Sequence, residues 1–142
     1  MASFNDTQNS IFQLDGGREL LSGSRMEELL STIPTSLDPT IIRLSNKSFS
    51  VEAAEIIAVR LKEFRNVIIA DISDIIAGRP EEEALQALSI ICNSLATNKL
   101  IELNISDNAL GSKGVHACSS LISIKSIEVE FIQLFFRLVP SL

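Results

Sequence analysis

A chain of 142 residues, 46% hydrophobic and 21% charged, is long enough for one packed domain. Its net charge of −6 argues against a nucleic-acid binder, which needs clustered Lys and Arg, and suits a basic protein partner. Seven Phe stand beside no Trp and no Tyr, so the packing must rest on Leu, Ile, Val and Ala.

Residues 1–23 are polar, with turn signals at Asp15-Gly16-Gly17 and Ser22-Gly23-Ser24, and are expected to form a loose polar arm. The start, Met1 to Asp6, lacks the basic head and apolar run of a secretory signal, so a reducing, cytoplasmic setting is expected. Cys92 and Cys118 are accordingly read as free core thiols at apolar positions of helices. Ser24 and Glu27 make a capping box, and Met26, Leu29, Leu30 and Ile33 follow at helical spacing until Pro34. Residues 24–38 are therefore expected to be an N-terminal cap helix over the end of the core.

Residues 39–128 carry a recurring pattern. Ile42 and Leu44 lie two apart on a short strand, and a helix from about Val51 to Phe64 follows with Ala54, Ile57, Ala58 and Leu61 on one face. Ala70 and Ile72 open the next strand after an interval of 28 residues from Ile42 to Ala70. The interval from Ala70 to Leu103 is 33, lengthened by the insertion Ile75–Glu83. Within it Pro80 is expected at the first helical position, and Glu81, Glu82 and Glu83 fill the first turn, where the helix dipole favours them. That helix carries Ala84, Leu85, Leu88, Ile91, Cys92 and Leu95.

Leu100, Leu103, Ile105, Asn108 and Leu110 then fit the leucine-rich-repeat template L-x-x-L-x-L-x-x-N-x-L at every required position. In that template Leu103 and Ile105 point inward, and Asn108 is the structural ladder residue whose amide satisfies buried loop backbone. The equivalent slot of the first repeat holds Lys47. A third helix is readable through Val115, Cys118, Leu121 and Ile122. The expected fold is α/β, a short right-handed solenoid with one parallel strand and one helix per repeat, three full repeats in all, since a lone repeat cannot bury its apolar face. A fourth strand would start near Ile127, but that register turns Glu130 inward and puts Phe135 in the asparagine slot. Residues 129–142 are thus a non-repeat apolar tail, either covering the open end or loose. It is no membrane span, because Lys125, Glu128, Glu130 and Arg137 interrupt it.

The strings Ser45-Asn46-Lys47-Ser48-Phe49, Ala77-Gly78-Arg79-Pro80-Glu81 and Ser106-Asp107-Asn108 through Gly114, occurring in this order, resemble the leucine-rich-repeat GTPase-activating proteins of the small GTPase Ran, especially the plant members. The match runs from about Thr40 to Glu128. The leucines are common to repeat proteins in general, whereas the Gly78–Glu81 insertion is specific. The resemblance implies a crescent that binds Ran in its GTP form and organises Ran's own catalytic residues. It implies that Arg79 engages Ran, and that an asparagine important for activation would fall at Leu134, one repeat after the slot of Asp107. With that asparagine, most of the repeats, the acidic C-terminal region and the nuclear-envelope targeting domain missing from the sequence, a truncated chain that binds Ran-GTP with little or no activating power is expected.

Arg79 invites the role of an arginine finger, against the plainer reading of an exposed loop arginine beside Glu81–Glu83. Asp71, Asp74 and Asp107 lie at strand ends or in the loops after them; Asp74 and Asp107 join Arg79 as candidate partner-binding residues on an acidic rim, or serve as turn formers. Asn46 reads as a loop former, and the lone His116 as a helix-surface residue with no second ligand at metal-binding spacing. No catalytic residue, cofactor or metal is assigned. Gly16-Gly17 lacks the Lys-Ser/Thr of a P-loop, so any GTP chemistry would belong to the partner. The expected protein is a monomer, not an enzyme itself, without nucleic-acid or membrane partners, at home in the cytoplasm or at the nuclear periphery. The rival reading is a general protein-interaction scaffold of leucine-rich repeats.

Overall fold

The computed structural model describes residues 11–108, 111–122, 127–132 and 135–140. Residues 1–10 of the expected arm, Leu110 of the template stretch and the Leu134 slot lie outside the described residues. The fold is α/β. Strands β1 (Ile11–Gln13), β3 (Ile41–Arg43), β5 (Ile69–Asp71) and β6 (Glu102–Asn104) lie side by side and parallel. A two-stranded parallel ladder joins β2 (Leu20–Leu21) to β4 (Ser48–Phe49). Helices α1 (Gly23–Ser31), α2 (Val51–Leu61) and α3 (Glu81–Leu95) each follow one of the first three parallel strands, and the short α4 (Gly111–Ala117) and α5 (Ser119–Ile122) follow the fourth.

The register makes the unit visible. Phe12, Ile42, Ala70 and Leu103 are aligned Cα to Cα across the four strands, and all four are buried. Their flanking neighbours Gln13, Arg43, Asp71 and Asn104 form a parallel polar row, as alternation along a strand requires. The inward row packs on Ala53, Ala54, Ile57 and Leu61 of α2 and on Ala84, Ala87, Leu88 and Ile91 of α3, within one continuous core. Small alanines let the helices approach, which suits a core with so few aromatics. Phe12 meets Phe64 edge-on, with ring centroids 5.4 Å apart.

This corrects the reading of the first 38 residues. Residues 11–21 are not an arm: Phe12 takes an inward strand position, Leu21 is fully buried, and the chain has four strand–helix units among the described residues, not three. Five apolar residues, split by the polar run Asp15–Glu19, show no clear periodicity, and only the 30-residue spacing from Phe12 to Ile42 betrays the unit. The helix expected over 24–38 spans Gly23–Ser31 and belongs to this first unit. Its N-cap is Ser22, whose hydroxyl accepts from the Arg25 amide at 3.2 Å, in place of Ser24. Gly23 is the buried first residue; a Cβ there would stand 3.2 Å from Ile56 Cδ1, so its bareness lets α1 lie against α2. Pro80 likewise is the N-cap of α3, with extended ψ, and the helix begins at Glu81.

The far end also differs. The helix expected through Val115–Ile122 is broken at Cys118 into α4 and α5. Among the described residues no further parallel strand follows β6. Strands β7 (Ile127–Ile132) and β8 (Phe135–Pro140) form an antiparallel hairpin, and β8 pairs antiparallel with β6. In this register Glu130 aligns through Arg137 with Asn104, in the polar row, whereas Leu138 and Val129 align with Leu103. The antiparallel β8 gives the β6 edge a backbone partner.

Candidate functional site

The loops that leave the parallel strands form a rim built on one repeated turn. Gly16, Asn46, Asp74 and Asp107 all have positive φ, of 88°, 62°, 49° and 59°, at equivalent places in the four units. Only Gly adopts this conformation freely, with Asn and Asp next, which is why these residue types occupy the position. Asp74 and Asp107 are therefore turn formers by backbone geometry, whatever else they do. Asp71 and Asn104 sit three residues ahead of them and act alike: each side-chain oxygen accepts from the amide and hydroxyl of the serine two residues on, Ser73 and Ser106, at 3.0 and 2.6 Å.

In the second, third and fourth units the residue after the left-handed turn is buried: Lys47, Ile75 and Asn108. Asn108 Oδ1 accepts from the Ile75 amide, and Nδ2 donates to the carbonyls of Ile72 and Ile105, each at 3.0 Å. This is the ladder role expected of it, reaching back one unit. In the corresponding slot Lys47 is buried, and its Nζ donates to the carbonyls of Asp15 and Gly17 at 2.9 and 2.6 Å. The longer side chain reaches the preceding loop as the asparagine does, but brings a charge. Glu19 answers it at 3.6 Å and also accepts from Arg25 at 3.1 Å. The hydrogen bond from Arg25 above all, helped by Lys47 and opposed by partial burial, holds the Glu19 carboxyl below its ordinary value. Nothing in the local sequence marked Lys47 as buried; the alignment of its slot with Asn108 was the signal.

Arg79 lies within the inserted segment, two residues before α3, and its side chain is only 17% exposed. Its Nε donates to Ser48 Oγ at 3.0 Å, and one terminal nitrogen donates to the carbonyls of Ser48 and Leu21 at 2.9 and 3.3 Å. Its other terminal nitrogen stands 3.6 Å from Glu83. Ser48 completes the arrangement by donating to the Ala77 carbonyl at 2.6 Å. The guanidinium thus ties the β2–β4 ladder of the first two units to the inserted segment of the third, so the plain reading of an exposed loop arginine does not hold. Asp74 is held by Arg18, whose two terminal nitrogens donate to its two carboxylate oxygens at 3.1 and 3.2 Å. Asp107 is exposed. The three candidate residues share one rim, with Asp74 and Arg79 in the same unit and Asp107 in the next.

Beside Arg79 an open cleft of about 620 Å³ runs between the starts of α2 and α3, lined among others by Leu20, Ser50, Glu52, Glu82 and Glu83. Leu20 is 68% exposed at its edge. The cleft offers carboxylates and an apolar wall, a surface for a basic side chain with an aliphatic stem. His116 is exposed on α4. Among the described residues no group of three or more His, Cys, Asp or Glu side chains is placed to share a metal ion, and no helix is long and apolar enough to cross a membrane.

Over 115 residues, 79% of its length, the chain is 40% identical to RAN GTPase-activating protein 1 of Arabidopsis thaliana. The chain is similar to Ran GTPase-activating proteins over most of its own length. A second match, to RAN GTPase-activating protein 2 of the same plant, is 39% identical over 116 residues, 80% of the chain. The chain spans 22% and 21% of the lengths of these two curated relatives. No family model matches it.

Proposed function

We propose that the chain is a leucine-rich-repeat protein of the Ran GTPase-activator type, which binds Ran in its GTP form through the strand-exit rim carrying Asp74, Arg79 and Asp107. The single observation that carries this reading is the 40% identity to a Ran GTPase-activating protein over 115 residues. The repeated left-handed turns and the Asn108 ladder support the leucine-rich-repeat architecture beneath it. The role is regulatory: the chain would act on the partner's GTPase site, with the rim charges aiding encounter and the cleft beside Arg79 receiving a basic side chain. Activation would be slight, because counting one repeat on from Asp107 reaches Leu134 where the resemblance implies the family's asparagine, and phosphoryl-transfer catalysis depends on positioned groups. The protein would act as a monomer in the cytoplasm or at the nuclear periphery.

A specific observation favours the scaffold reading as the alternative. The donors of Arg79 are directed at Ser48, Leu21 and Glu83, which is how a structural arginine behaves. Titration of the chain against Ran loaded with a non-hydrolysable GTP analogue separates the two. Saturable, salt-sensitive binding that is lost with Ran-GDP supports the activator type, and equal indifference to both nucleotide states refutes it. Single-turnover hydrolysis with excess chain then reads activation, expected near the intrinsic rate.

A further inference from the structure

Away from the rim, the only two cysteines of the chain face each other across the helical layer. Cys92 lies in the last turns of α3, and Cys118 sits at the break between α4 and α5. Their sulfurs are 2.8 Å apart, and neither residue is exposed to solvent. A disulfide bond is about 2.05 Å long, so the sulfurs need only a small approach to bond. The backbone at Cys118 is a tight bend: its amide is shared between the carbonyls of Gly114 and Val115, and its carbonyl accepts from the Leu121 amide. Nothing in the rim, the ladder or the cleft uses either thiol.

We propose that Cys92 and Cys118 form a redox-active pair, oxidised by low-molecular-weight disulfides such as glutathione disulfide to an intramolecular bond that clamps α3 to the α4–α5 bend. One thiolate attacks a sulfur of the small disulfide and expels one small thiol, leaving a mixed disulfide on the protein. The second thiolate attacks the protein-bound sulfur and expels the other small thiol. Two electrons pass from the cysteine pair to the small disulfide, and the two protons end on the small thiols. Because both sulfurs are buried, the oxidant reaches them only when the short helices α4 and α5 lift from α3. Burial also pushes the Cys92 thiol well above its ordinary value, so the folded state holds little thiolate and the reaction is slow. The bond closes a loop spanning 26 residues and joins the third unit to the fourth, at the end of the stack where the helices are shortest.

The test incubates the native chain in glutathione buffers of graded ratio, quenches with acid, alkylates free thiols and maps peptides without reduction. The expected product is a monomer lighter by two hydrogens, carrying a Cys92–Cys118 cross-linked peptide and no glutathione. Its melting temperature should rise by about 5–10 °C, as expected for closing a loop of this length, and should fall back with dithiothreitol. Cys118→Ala should show no such rise. A persistent mixed disulfide, an intermolecular cross-link, oxidation confined to the denatured chain, or a cross-link that lowers the melting temperature would each overturn the proposal. The wild-type mass and melt decide the matter even if the variant fails to fold.

Discussion

Asn108→Leu removes a side chain that satisfies three buried backbone groups at once, the Ile75 amide and the carbonyls of Ile72 and Ile105, all at 3.0 Å. Leucine is of similar size, so the loss is polar and not a cavity. Each buried backbone group left without a partner costs about 1–3 kcal/mol. Three groups at the low end of that range give about 3 kcal/mol, a large part of the 5–15 kcal/mol that holds a domain together. Two of the three belong to the preceding unit, so the substitution cuts the stitch between the third and fourth units. Stacked units can fray from one end, and the fourth unit should therefore loosen before the rest. Urea melts of both proteins measure the total, and hydrogen exchange resolves the place: Ile75 and its neighbours should exchange faster while β3 stays protected. Asn108→Asp is the sharper companion. It keeps an acceptor for the Ile75 amide but turns an oxygen toward two carbonyls, so its defect should shrink as falling pH protonates the carboxyl and restores a donor. A neutral Asn108→Leu, within about 0.5 kcal/mol of wild type, would refute the ladder argument.

Three further outcomes follow from the rim. Lys47→Met should destabilise by about 2 kcal/mol or more, because the Asp15 and Gly17 carbonyls lose their donor; a thermal melt at wild-type level would show that water replaces it. The folded-state value of Glu19 is depressed, so its stabilising contribution is present above the ordinary glutamate value of about 4.3 and is lost as pH falls through the folded value. The stability gap between wild type and Glu19→Gln should hold from pH 7 to about 5 and shrink as pH falls below the ordinary glutamate value, and a gap that does not shrink there in urea melts would contradict the assignment. Arg79→Ala should lower the melting temperature along with any Ran affinity, since it strips the Ser48 and Leu21 carbonyls of a donor, while Arg79→Lys should keep the charge and lose the fork. An unchanged melt for Arg79→Ala would show that the arginine is held by the surface and not the reverse.

The local rules of the chain are legible where periodicity is long enough to count. The α2 and α3 faces, the inward pairs Ile42/Leu44, Ala70/Ile72 and Leu103/Ile105, and Asn108 in its ladder slot all follow from spacing, because burial on one side of a strand or helix imposes period 2 or 3.6. The turn residues are legible too, since positive φ admits few residue types and Asn46, Asp74 and Asp107 announce it. Tertiary structure decided what depends on partners distant in the chain. Ile11 to Gln13 becomes a strand only because Ile41 to Arg43 lies beside it, so a polar stretch hides a unit. Lys47 is buried only because the Asp15–Gly17 loop offers carbonyls 30 and 32 residues away. Arg79 is mostly hidden only because Ser48 and Leu21 come within reach, and the direction of β8 against β6 settles where Glu130 aligns. Hydrophobic pattern is a property of neighbours along the chain, whereas hydrogen-bond satisfaction of a buried charge is a property of neighbours in space.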